Sequence, residues 1–163
     1  MKQIITTTNK SLLPNWVRLP GLVLVLLGLA ILTMRYGFNY KPGFLDLKVY
    51  ALYSFYIETK TFTVISNQMI EEFGGLFLLL GLFLLALSRE KSEVAFLDVL
   101  RIRAFVLSSW INLIFLYISV LFFYGFGFVG ALTLFPVIWL VAYLLVFRYL
   151  VFKSNIVEKE PIG

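Results

Sequence analysis

Four long apolar runs dominate the chain, at about 17–34, 70–88, 104–124 and 126–147. Each is close to the roughly 20 residues that an α-helix needs to cross about 30 Å of hydrocarbon. A helix also satisfies its own backbone hydrogen bonds, as a lipid interior requires. The pattern therefore predicts an all-α integral membrane fold with four transmembrane helices in a single membrane domain, 1–163. Arg18 and Arg35 bracket the first run, and their long side chains can snorkel to the two interfaces. The third and fourth runs meet at Tyr124-Gly125-Phe126-Gly127-Phe128. Glycine permits a sharp turn there, so these helices are expected to form an antiparallel hairpin. Pro136 falls inside the fourth run and is expected to kink it.

Two segments break the simple pattern. The link 36–67 is too apolar for a solvated loop. Stretches 46–53 and 61–66 are rich in Val, Tyr, Phe and Thr, which suits two short strands joined near Glu58-Thr59-Lys60. The competing reading is an interfacial helix with aromatic rings at headgroup level. Lys41-Pro42-Gly43-Phe44 reads as a turn before it. Tyr50, Tyr53, Phe55, Tyr56 and Phe62 make this aromatic loop a candidate partner surface, since exposed apolar patches mark contact sites. The same rings could instead cap the end of the bundle. Asn67 reads as the N-cap of the second span, with Glu71 and Glu72 in its first turn, where carboxylates suit the helix dipole. The other segment, 89–103, mixes charges with Val94, Leu97, Val99, Leu100 and Ile102 at near-helical spacing. It is expected to be an amphipathic helix lying at the cytoplasmic face and running into the third span, with a weak Asp98–Arg101 pair.

Composition agrees with the lipid reading. The chain is 61% hydrophobic and 14% charged, against about 45–50% and about 25% for soluble domains. Mean hydropathy is +0.93. The net charge of +5 fits membrane flanks better than a nucleic-acid partner. Ten of the 14 Lys and Arg residues lie in the N-terminal tail, between spans two and three, or at the C-terminal end. Arg35, Lys41, Lys48 and Lys60 lie between spans one and two. By the positive-inside rule that bias puts both termini in the cytoplasm and the aromatic loop outside. The polar stretch 1–11 followed by a run without a small-residue cleavage site reads as a retained signal anchor.

Candidate chemistry is sparse. The absence of cysteine and histidine excludes disulfides, Cys/His zinc sites and imidazole base catalysis. No phosphate-binding loop or dinucleotide fingerprint is present, and no cofactor is expected. Ser108, Asn112 and Ser119 recur at spacings of four and seven, on one face of span three. That polar stripe should turn inward or toward a partner and make interhelical hydrogen bonds. Gly21/Gly28 and Gly74/Gly81 each repeat at seven, a soft signal for close helix contact. Adjacent Glu71 and Glu72 point to different helix faces and so do not form a paired acid–base site.

Several of these residues carry a family resemblance. The stretches FLDLKVYALYSFYIETKTFT (44–63), Glu71-Glu72, SREKSEVAFLDVLRIR (88–103) and WINLIFLYISVLFFYGFG (110–127) resemble a family of small four-span inner-membrane proteins of Bacteroidetes. Such proteins show a Ser-Lys-Glu-Lys run after span two, a Leu-Arg-Leu segment, Trp and Asn in span three, and Tyr-Gly before span four. This chain departs from that pattern at Arg89 and Ile102. The resemblance covers most of 44–152 and implies a bacterial inner-membrane location. It carries no catalytic residue across.

The expectation is a non-enzymatic polytopic membrane protein, acting as a sensor, regulator or accessory subunit through contact with another membrane protein. The alternative is a small homo-oligomeric channel or membrane-perturbing effector built on the stripe of span three. A weaker third reading is a lipid-modifying enzyme using Glu71, Glu72 or Asp98. The expected partners are the lipid bilayer, another membrane protein or further copies of the chain, and no nucleic acid.

Overall fold

A computed structural model of the chain describes residues 12–55, 59–90 and 95–157, with the backbone alone at 53–55, 59–60, 95 and 155–157. Tyr56 and the tail 1–11 lie outside the described residues, as does 91–94 of the expected interfacial segment. Four α-helices account for most of the chain: α1 Arg18–Gly37, α2 Ile70–Leu87, α3 Ala95–Phe122 and α4 Phe126–Val157. All four are long and apolar enough to cross a membrane. Between α1 and α2 lies one antiparallel hairpin, β1 Asp46–Phe55 and β2 Thr59–Gln68. The chain divides into two compact units, Met1–Val23 with Leu79–Gly163, and Leu24–Leu78.

In the unit Leu24–Leu78 the hairpin supersedes the interfacial-helix reading and extends both expected strands. Period-two alternation of Tyr, Leu, Phe and Val explains it. Val49, Ala51, Thr63 and Ile65 are half-buried, while Tyr50, Leu52, Phe62 and Val64 are exposed. Pairing runs Asp46 with Gln68 through Tyr50 with Val64 to Phe55 with Thr59. It lapses only where Leu52 faces Phe62, whose φ of 51° is left-handed. Such a backbone is rare for a bulky residue. A short 3-10 turn, Gly43–Leu45, leads into the hairpin. Asn67 is a strand residue, not the N-cap of α2, and its amide donates to Glu72 Oε1 at 2.8 Å. Close helix approach follows from glycine: a Cβ at Gly28 would stand 2.6 Å from the Leu78 nitrogen, and one at Gly74 would stand 2.8 Å from Leu32 Cδ2.

In the unit Met1–Val23 with Leu79–Gly163, α3 and α4 form the expected antiparallel hairpin. Gly125 turns the chain with a φ of +59°, a conformation that costs glycine little. Leu97, Leu100, Ala104 and Phe147 are buried together, with Tyr143, Val146 and Leu150 packed around them. Phe105 meets Trp139 edge-on at 5.4 Å. Helix α3 starts nine residues before the expected span, and α4 continues through Pro136. Residues 95–103 of the segment 89–103 are thus continuous with the third span in one helix, with Asp98 and Arg101 buried. Gly21 again marks a close approach, since a Cβ there would lie 3.1 Å from Leu84 Cβ and 3.2 Å from the Gly81 carbonyl.

Candidate functional site

The densest polar constellation among the described residues gathers around the turn that follows α2, within the unit Met1–Val23 with Leu79–Gly163. Leu87 ends the apolar run, and Ser88-Arg89-Glu90 leaves the helix with backbone groups that need partners. The segment before α1 supplies them. Leu13 donates its N–H to the Leu87 carbonyl at 2.9 Å, and its carbonyl accepts from Arg89 N–H at 2.9 Å. Leu13 and Ser88 thereby form a short parallel bridge. Asn15 Nδ2 donates to the Arg89 carbonyl at 2.8 Å.

Ser88 is the hub. It is almost wholly buried. Its hydroxyl donates to the Leu85 carbonyl at 2.9 Å and accepts from Arg18 Nε at 3.1 Å. Its own carbonyl accepts from both terminal nitrogens of buried Arg101, each at 3.4 Å. The Arg101 guanidinium also lies 5.0 Å over the Phe147 ring, a cation–π arrangement in a poorly hydrated place.

Arg18 goes on to a two-pronged contact with Glu90. Its Nη1 donates to Oε2 at 2.6 Å and its Nη2 donates to Oε1. This fork-to-carboxylate geometry is the strong form of an ion pair. Arg148 of α4 approaches the same carboxylate, with Nη1 at 3.3 Å from Oε1. Partial burial alone would raise the Glu90 carboxyl. The Arg18 hydrogen bonds and charge, joined by Arg148 and Arg101, outweigh that and hold it below the ordinary value of 4.5. Glu90 is therefore a carboxylate at neutral pH, in contact with two guanidinium groups.

Beside this cluster runs an open groove of about 720 Å³. Leu19, Leu22, Leu85 and Leu144 form its apolar wall. Arg18, Glu90 and Arg148 lie at its polar end, with Asn15 and the exposed Trp16.

The residues singled out from sequence lie elsewhere. Ser108, Asn112 and Ser119 are all buried, so the stripe faces inward as expected. Among the described residues the two hydroxyls make local hydrogen bonds, not the expected interhelical ones. Ser108 donates to the Phe105 carbonyl at 2.9 Å and Ser119 to the Phe115 carbonyl at 2.8 Å. A hydroxyl on a helix finds the carbonyl one turn back more readily than a neighbouring helix. Asn112 Oδ1 is buried without a hydrogen-bond partner among the described residues. Of the aromatic set, Tyr50 and Phe62 are exposed on one hairpin face. Tyr53 and Phe55 belong to β1, but their side chains lie outside the described residues, as does all of Tyr56. Glu71 pairs with Arg35, Nη2 to Oε1 at 2.7 Å, and accepts from the Tyr36 hydroxyl at 3.2 Å. Glu72 takes the Asn67 amide. Among the described residues no three of His, Cys, Asp and Glu group to hold a metal.

Sequence reasoning missed the Arg18–Glu90–Arg148 cluster because each arginine reads alone as a membrane flank. The available signal was Glu90, a carboxylate directly after an apolar span in a segment otherwise rich in arginine. No family model matches the chain, and neither do any curated proteins or solved structures.

Proposed function

We propose that this chain is a non-enzymatic component of a bacterial inner membrane that acts as a sensor, regulator or accessory subunit by contacting another membrane protein. Both termini are cytoplasmic in this reading, which rests on the distribution of Lys and Arg. The hairpin is then external, and the turn Ser88-Arg89-Glu90 is cytoplasmic.

The observation that carries the reading is the exposed face of the hairpin. Tyr50, Leu52, Phe62 and Val64 leave between 61% and 70% of their surface uncovered while the opposite face is half-buried. Aromatic side chains on a rigid strand pair lose little entropy when a partner covers them, and aromatics dominate interface energetics. The left-handed Phe62 backbone adds support, because strain of this kind gathers at functional positions. The test is mild-detergent purification of the tagged protein from its native membrane, with the mass of the intact complex measured. The expected result is a stoichiometric foreign protein whose recovery falls about tenfold in the Tyr50→Ser, Phe62→Ser double variant.

One observation favours a second reading, a homo-oligomeric channel or membrane-perturbing effector. Asn112 Oδ1 is an acceptor buried on the stripe without a hydrogen-bond partner among the described residues. Recovery of a pure homo-oligomer, with no foreign protein, would move the assignment there, and Asn112 and Ser119 would be the first positions to substitute.

A further inference from the structure

The groove beside the Ser88 hub runs from a leucine wall to a cluster of guanidinium groups. That is the polarity sequence of an amphiphile with an anionic head. We propose that it binds one anionic phospholipid, with the phosphate on Arg148 and an acyl chain along Leu19, Leu22 and Leu144.

Charge sets the head. Arg18 and Arg148 both contact the Glu90 carboxylate, so one carboxylate is shared by two guanidinium groups. Arg18 spends its fork on Glu90. Arg148 touches Glu90 with one nitrogen and leaves 59% of its side chain exposed. A guanidinium has five N–H donors in a planar fork that matches a phosphate edge, so Arg148 retains donors for a second anion. A zwitterionic headgroup would bring its own cation into this positive setting and gain less.

Geometry sets the tail. Leu19 and Leu22 lie one turn apart on α1, and Leu144 lies one turn before Arg148 on α4. The apolar wall therefore runs along the helices from the charged end, as an acyl chain would. The groove volume of about 720 Å³ falls within the roughly 300–1,000 Å³ of ordinary ligand sites. Trp16 is 72% exposed at the mouth, where an indole ring suits the headgroup region. Arg148 directly follows the apolar run 126–147, where an arginine reaches the headgroups by snorkelling.

The test uses full-length protein in a nonionic detergent. Phosphatidylglycerol or phosphatidylethanolamine with identical acyl chains is added, and retained lipid is counted by native mass spectrometry. The expected result is one retained lipid with about tenfold preference for the anionic species, the gain of one charge-assisted contact. Arg148→Gln should abolish the preference. Leu144→Trp keeps every charge but fills the groove, and should lose lipid of both kinds. Lys153→Gln, a charge removed outside the groove, should change nothing. Equal retention of the two lipids by the unsubstituted protein would overturn the proposal, as would a Leu144→Trp variant that retains lipid normally. Displacement of the lipid by millimolar inorganic phosphate alone would also overturn it, since the site would then be one for free phosphate. None of these outcomes depends on the hairpin having a protein partner.

Discussion

Among the described residues, the pairings of Arg35 with Glu71 and of Arg18 with Glu90 differ in build. Arg35 and Glu71 link the last turn of α1 to the first turn of α2 through Nε at 2.8 Å and Nη2 at 2.7 Å, both on Oε1, and Glu71 keeps 42% of its side chain exposed while Arg35 keeps 18%. Arg18 places one nitrogen on each oxygen of Glu90, and 23% and 15% of their side chains remain exposed. The first pair has the Tyr36 hydroxyl as a further partner. The second is tied to Ser88, and its carboxylate is shared with Arg148. Identical chemistry thus serves different ends. Where water reaches the carboxylate, pairing is one option among several and adds little. Where burial removes that option, losing one partner strands the others.

That contrast predicts a ranked series. The largest effect should come from Glu90→Ala, which leaves Arg18 and Arg148 facing each other without a counter-charge. Removing one member of a largely buried pair costs about 3 kcal/mol, readable as a lower thermal midpoint in detergent. The double variant with Arg18→Ala should be less damaged than the sum of the single changes, because the stranded cation is gone. If Glu90→Ala costs no more than Glu71→Ala, the distinction between the pairings fails.

Next in size is an acid limb. The folded Glu90 carboxyl is held below its ordinary value, so the folded state binds a proton more weakly than the unfolded one. Its stabilisation is then fully present above the unfolded value of 4.5 and drains away as pH falls through the lower folded value. Melting followed from pH 7 downward should show this loss, and Glu90→Gln should flatten it. No change from this group is expected between pH 6 and pH 8. The smallest effect belongs to Glu71→Ala, expected at about 1 kcal/mol or less in the same assay. A larger loss would mean that the Arg35 pair is more sheltered than its exposure indicates.

The hydrophobic pattern made the four helices legible to within a few residues at most ends, because lipid demands length and apolarity and little else. The β1–β2 hairpin was legible as one of two readings, since alternation over 46–53 carries the strand period. The start of α3 was not. Asp98 and Arg101 look like surface charges in a list of letters, and only the packing of Leu97, Leu100 and Phe147 around them shows otherwise. The stripe of Ser108, Asn112 and Ser119 was legible as a face, but not as a set of local hydroxyl bonds. The Ser88 hub was illegible for a physical reason. Its partners Arg18 and Arg101 come from two other helices, and one of the acceptors is a backbone carbonyl, which carries no signature in sequence.

The pairing of Arg18 with Glu90 also has a consequence for biogenesis. The two residues are separated by 72 positions. At roughly 5–20 residues per second of synthesis, Glu90 is made about 4–14 s after Arg18. During that interval the Arg18 guanidinium has no Glu90 to pair with. Arg148 is made later still, so the cluster closes only once the fourth helix has been translated. The cluster is therefore complete only late in synthesis, and a nascent chain halted before α4 would carry Glu90 without its second arginine.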